Sequence, residues 1–82
     1  MFEDNSNQMK RKALKAYSTV YHDKRIIEKL IESNGETKSE NELEIVKFAV
    51  KYYMNMVEDV SEYLILDDLL YSLNGIKGTM QK

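Results

Sequence analysis

Cysteine, proline and tryptophan are absent from the chain, which has a single histidine and only three glycines in its 82 residues. Without cysteine there can be no disulfide framework, no thiolate zinc site and no thiol nucleophile, a composition suited to a reducing compartment. The lone histidine, His22, follows Ser18-Thr19-Val20-Tyr21, so the Glu-x-x-His pairs of four-helix carboxylate centres are missing. No serine, histidine and acid are spaced as a recognisable triad. The longest uninterrupted apolar run, Tyr63–Leu66, is far short of the roughly 20 residues that a membrane-spanning helix needs. The start, Met1-Phe2-Glu3-Asp4-Asn5, is acidic and polar where a secretory leader would be basic and then apolar. These absences lead us to expect a cytoplasmic chain with no cofactor, no metal, no small-molecule substrate and no catalytic residues.

The residues present favour helix throughout. Leu, Lys, Glu, Met and Ala are plentiful, and nothing in the sequence forbids a helix interior, so the fold class expected is all-α in one domain spanning 1–82. Helix stops are expected at Asn34-Gly35 and Asn74-Gly75, where a residue tolerant of left-handed geometry follows the last apolar position. Ser39-Glu40-Asn41-Glu42 has the form of a capping box, in which Ser39 accepts from the N–H of Glu42 and Glu42 reaches back to the N–H of Ser39. These signals predict two long helices, about 6–33 and 39–74, joined by a short turn into an antiparallel hairpin, with flexible ends at 1–5 and 76–82.

The second helix is expected to be two-faced. Leu43, Val46, Val50, Tyr53, Val57, Val60, Leu64, Asp67 and Tyr71 step by three and four residues, the spacing of a heptad seam. Ile45, Ala49, Tyr52, Met56, Asp59, Tyr63, Leu66, Leu70 and Leu73 step likewise on another face. A helix with one neighbour needs one stripe, so a second seam calls for a second neighbour. Two hairpins pairing into a four-helix-bundle homodimer would supply it. The alternative is a three-helix bundle, formed if the second helix breaks near Glu58–Ser61. The first helix has one stripe, Ala13, Ala16, Tyr17, Val20, Ile27, Leu30 and Ile31, interrupted by Asp23, with a kink conceivable over Ser18–Asp23.

This pattern points to a small non-enzymatic protein–protein interaction module, a regulator, adaptor or inhibitor working through the second seam. Its partner-binding candidates are Tyr52, Met56, Tyr63, Leu66 and Leu70, with tyrosine and methionine suited to interfaces by their amphipathic and adaptable side chains.

The formal charge of −2 is unevenly divided: residues 1–38 carry eight Lys/Arg against six Asp/Glu, residues 39–82 four against eight. The basic run Lys10, Arg11, Lys12 and Lys15, with Tyr17 and Tyr21 among its neighbours, gives the alternative reading of a nucleic-acid-associated regulator. Against it, the antiparallel pairing would bring those cations to the acids of the second helix, Lys10 near Glu62 and Arg11 and Lys12 near Asp59–Ser61. A metal site on Glu58 and Glu62 would require ligands from two chains, and a solvated acidic face is the simpler account. Asp59 and Asp67 stand out because each falls within an apolar seam, where an unpaired carboxylate is expensive. A polar residue there can also fix register and partner number.

Overall fold

An acid within an apolar stripe resolves its conflict with the core in one of two ways: it finds backbone N–H donors, or it faces water. Both solutions occur here. The computed structural model describes residues 4–80, with side-chain surroundings defined over 7–74. The chain is all-helical over this range, in the order α1 (Asp4–Tyr17), α2 (Lys24–Glu32), α3 (Glu40–Met54) and α4 (Val60–Met80). Each of the two long helices expected from the sequence is thus divided in two. Of the ends expected to be flexible, 1–3 and 81–82 lie outside the described residues, whereas 4–5 and 76–80 belong to α1 and α4.

The first division follows from Ser18 and Thr19. Their hydroxyls donate to the carbonyls of Lys15 and Ala16, both at 2.7 Å, and so compete with continuation of the backbone ladder. Lys24 donates its ammonium to the Ser18 carbonyl. Asp23, the acid that interrupts the first stripe, is the N-cap of α2: its backbone is extended and its carboxylate accepts from the N–H of Ile26 at 3.4 Å. The second division has the same physics. After Met54 the chain tightens, with the N–H of Asn55 on the carbonyl of Tyr52 and that of Met56 on Tyr53. Asp59 then starts α4, its side chain accepting from the N–H of Ser61 at 3.0 Å and its carbonyl from that of Tyr63 at 3.0 Å.

The turn between α2 and α3 is the part that follows the sequence most closely. Asn34 and Gly35 both adopt positive φ, 59° and 81°. The N–H of Gly35 reaches the Leu30 carbonyl at 2.7 Å and that of Asn34 reaches Ile31 at 3.1 Å, the paired bonds of a Schellman stop. Ser39 caps α3 by accepting from Glu42 N–H at 3.2 Å. The return bond differs from expectation by one residue, since Glu42 accepts from the N–H of Lys38 at 2.8 Å. The stop expected at Asn74-Gly75 does not operate, and α4 runs on to Met80. A glycine inside a helix costs about 1 kcal/mol relative to alanine but does not end it.

The core unites all four helices: Met9, Ala13 and Leu14 from α1, Ile27 and Leu30 from α2, Leu43, Ile45, Val46, Ala49 and Val50 from α3, and Leu66, Leu69 and Leu73 from α4. α1 and α3 form the most extensive interface. They run in the same general sense, because Gly35 in the turn leading to α3 lies over Lys10 while Tyr52 near the end of α3 packs on Tyr17. α3 is covered on both of its apolar faces by its own chain, and even Lys47 is 9% exposed, its ammonium 3.6 Å from Glu44. The radius of gyration, 12.0 Å, matches the roughly 12 Å expected of a chain this long folded on itself. One chain therefore closes this core.

The role of Asp59 gives an opposed pair of expectations. If it were a misplaced seam residue in a continuous helix, Asp59→Leu would stabilise the fold. As the start of α4, Asp59→Leu and Asp59→Ala should each destabilise by about 1 kcal/mol in urea unfolding. Leu66→Ala, which empties a fully enclosed site, should cost about 2–5 kcal/mol.

Candidate interaction surface

The division at Asn55–Asp59 changes which seam of the second half faces inward. In α3 the first seam, Leu43, Val46 and Val50, is buried, and so are Ile45 and Ala49 of the second. In α4 the inward stripe is Leu66, Leu69 and Leu73. The seam that began with Leu43 emerges on the outside of α4 as Val60, Leu64, Asp67 and Tyr71, spaced three and four residues apart on one face. Val60 is 70% exposed, Leu64 60% and Tyr71 78%. Asp67, also exposed, sits between Leu64 and Tyr71, and Asp68 borders the stripe. Leu64, Asp67, Asp68, Leu70, Tyr71 and Asn74 line an open groove along this face.

The five partner-binding candidates separate accordingly. Leu66 is wholly enclosed and belongs to the core. Tyr52 is half-buried, its ring centroid 5.6 Å from that of Tyr17, which in turn lies 5.3 Å from Tyr21. Leu70 is half-buried against the core at the edge of the α4 groove. Met56 in the α3–α4 link and Tyr63 at the flank of the outer stripe are exposed. Val60, Leu64, Tyr71 and, on α3, the half-exposed Phe48 were not singled out by spacing alone. The signal that marks the outer face is Asp67, since a carboxylate that caps no helix belongs on the solvent side of a stripe.

The basic residues occupy a different surface. Gln8, Arg11, Lys12 and Lys15 line a shallow groove on α1. Lys12 is held 3.6 Å from Glu62 at the start of α4, where the pairing argument had placed Lys10. Lys10 instead crosses the Asn34-Gly35 turn, its Cδ 2.7 Å from where a Cβ on Gly35 would stand. Burial lowers the Lys10 ammonium's pKa from its ordinary 10.5, opposed by the attraction of Glu36. Of the tyrosines expected to stack on bases, Tyr17 packs against both Tyr21 and Tyr52. His22 is exposed in the α1–α2 link. Among the described residues, no three His, Asp or Glu side chains converge as metal ligands, and no buried side-chain polar atom lacks a hydrogen-bond partner. No described helix is long and apolar enough to cross a membrane.

The Lys10 shift has a definite sign. Below the folded pKa both states are protonated and the desolvation cost is fully present; above it the folded state releases its proton first, and the cost is relieved as pH climbs towards 10.5. The stability of the native chain relative to Lys10→Met should therefore improve with pH across the alkaline range, measured as paired urea midpoints. A flat difference would show that the ammonium reaches water freely.

Compared with family models, with curated proteins and with solved structures, the chain matches none.

Proposed function

We propose that this chain is a small non-enzymatic protein–protein interaction module, a regulator, adaptor or inhibitor that acts by presenting the outer face of α4. The observation that carries this reading is the row Val60, Leu64 and Tyr71, all large, apolar and more than half exposed on one helix face. Apolar side chains scattered singly over a surface are ordinary, whereas three aligned on the outer face of a helix that already has a buried stripe favour a docking site. Tyr63 and Met56 extend the row towards the α3–α4 link, and both residue types suit an interface that must be wet when alone and dry when bound.

The four-helix homodimer expected from the sequence takes a different form in this reading. A second copy is not needed to complete the bundle, because four helices of one chain already share the core. Any partnering, with itself or with another protein, would use the outer face of α4. A second reading, a nucleic-acid-associated regulator, rests on the groove of Gln8, Arg11, Lys12 and Lys15. It is weaker because Glu62 engages Lys12 and Lys10 lies partly buried over Gly35. A salt-dependent shift of a nucleic-acid probe that vanishes when Lys10, Arg11, Lys12 and Lys15 become glutamine would favour it.

The leading reading is tested by a hydrophobic dye together with sedimentation. Leu64→Lys and Tyr71→Glu should abolish dye binding, or concentration-dependent association, while leaving helicity unchanged and the unfolding free energy within about 0.5 kcal/mol of the native chain. If these exposed substitutions unfold the chain, the row is core and the reading fails.

A further inference from the structure

Three acids interrupt the apolar stripes of this chain, and two are accounted for by the fold: Asp23 caps α2 and Asp59 opens α4. Asp67 does neither. It lies in the middle of α4, exposed, with Leu64 before it and Tyr71 after it on the same face. Around it the charge is of one sign. From Tyr52 to Ile76 the sequence holds five acids, Glu58, Asp59, Glu62, Asp67 and Asp68, and no lysine or arginine. Only Glu62 is met by a cation of another helix, Lys12, among the described ion pairs. Two of these acids, Asp67 and Asp68, line the outer groove of α4, so that face is apolar and anionic together, and an occupant must cover Leu64 and Tyr71 while bringing positive charge to Asp67.

We propose that this face receives a basic amphipathic helix of another protein, with an arginine or lysine of its apolar seam set against Asp67. This rests on the docking reading above and names the partner's chemistry. A second copy is a poor occupant. Parallel α4 pairing places Asp67 against its own counterpart, and an antiparallel pairing centred on the Leu64–Tyr71 stretch brings the two Asp67 carboxylates and their Asp68 neighbours into one acidic patch. Like charges juxtaposed across a contact cost several kcal/mol in general. The basic face of α1 in a second copy fails for the opposite reason, since Gln8, Arg11, Lys12 and Lys15 offer cations but no apolar group to cover Leu64 and Tyr71. An anionic membrane surface would be repelled by Asp67 and Asp68. A cationic helix laid along the groove satisfies both demands, with apolar anchors three and four residues apart and one charge pair fixing the register.

The test uses the full chain and two fluorescein-labelled helical peptides with the same leucine seam, one carrying arginines at its centre and flanks, the other glutamates. Anisotropy titrations should show the arginine peptide binding at least about tenfold more tightly than the glutamate peptide. Asp67→Arg should remove or invert that preference with helicity unchanged, and Leu64→Lys should abolish binding of both peptides. Equal affinity for the two peptides would overturn the charge assignment while leaving the docking face standing. Binding of neither peptide, together with no dye binding, would remove both. A dimer in sedimentation that Leu64→Lys dissolves, or seam-dependent capture by zwitterionic vesicles in place of the arginine peptide, would overturn the proposal in favour of a second copy or a membrane.

Discussion

The packing of α1 against α3 is the contact on which the rest of the molecule depends. Ala13 and Leu14 of α1 and Val46, Ala49 and Val50 of α3 are all fully enclosed. α3 also meets α2 and α4, and α1 meets every other helix. A small domain buries a modest fraction of its surface, so it needs one helix surrounded on nearly all sides to hold a core together. α3 is that helix. Its two apolar faces, which from spacing alone seem to demand a second chain, are covered by α1, α2 and α4 of the same one.

Covering α3 on both sides requires the chain to fold back more often than two long helices allow, and the acids make this feasible. A carboxylate in an apolar stripe is destabilising if the helix simply continues through it. Ending the helix before the acid and restarting after it converts the same group into an acceptor for orphan N–H donors, where the helix dipole also favours negative charge. Asp23 and Asp59 both do this, with neither proline nor glycine nearby. The serine and threonine hydroxyls at Ser18 and Thr19 assist at the first break by occupying carbonyls of the last turn of α1.

Much of the fold was legible in the sequence where a local group has one good conformation available. Asn34-Gly35 takes up positive φ at both residues, and Ser39 accepts from Glu42 as the capping pattern requires. The apolar periodicity also identified most core positions, although Met9 and the fully enclosed Leu14 of α1 lie off the stripe it traced. What periodicity could not resolve was phase. A seam counted across Asn55–Asp59 as though the helix were continuous assigns Leu66 to the partner and Leu64 to the core, and the link interchanges them. The difference lies in choosing between two favourable outcomes, a longer helix or a capped restart, whose energies differ by about the value of one cap. Tertiary packing makes that choice, and no window of local sequence contains it. The Asn74-Gly75 stop failed for a similar reason: asparagine and glycine permit a left-handed turn without requiring one, and α4 passes through them.

The character of α4's outer face is best judged against the other helices of the same chain. α1 turns Gln8, Arg11, Lys12 and Lys15 outward, and α2 turns Arg25, Glu28, Lys29 and Glu32 outward. Both are ordinary amphipathic helices, apolar inside and charged outside. α4 has a complete inward stripe in Leu66, Leu69 and Leu73, and its contact with the core would be unchanged if the opposite stripe were polar. Fold stability thus supplies no reason for Val60, Leu64 and Tyr71 to be apolar. Solubility supplies a reason against it, since exposed apolar rows promote unspecific association. The Lys12–Glu62 pair fastens the start of α4 to α1 and, at 50% and 30% side-chain exposure, adds about 0–1 kcal/mol, enough to help orient the helix but not to explain its far side. A row that the core does not use and that water disfavours, with an acid set in its middle, is the ground on which the proposed docking face rests.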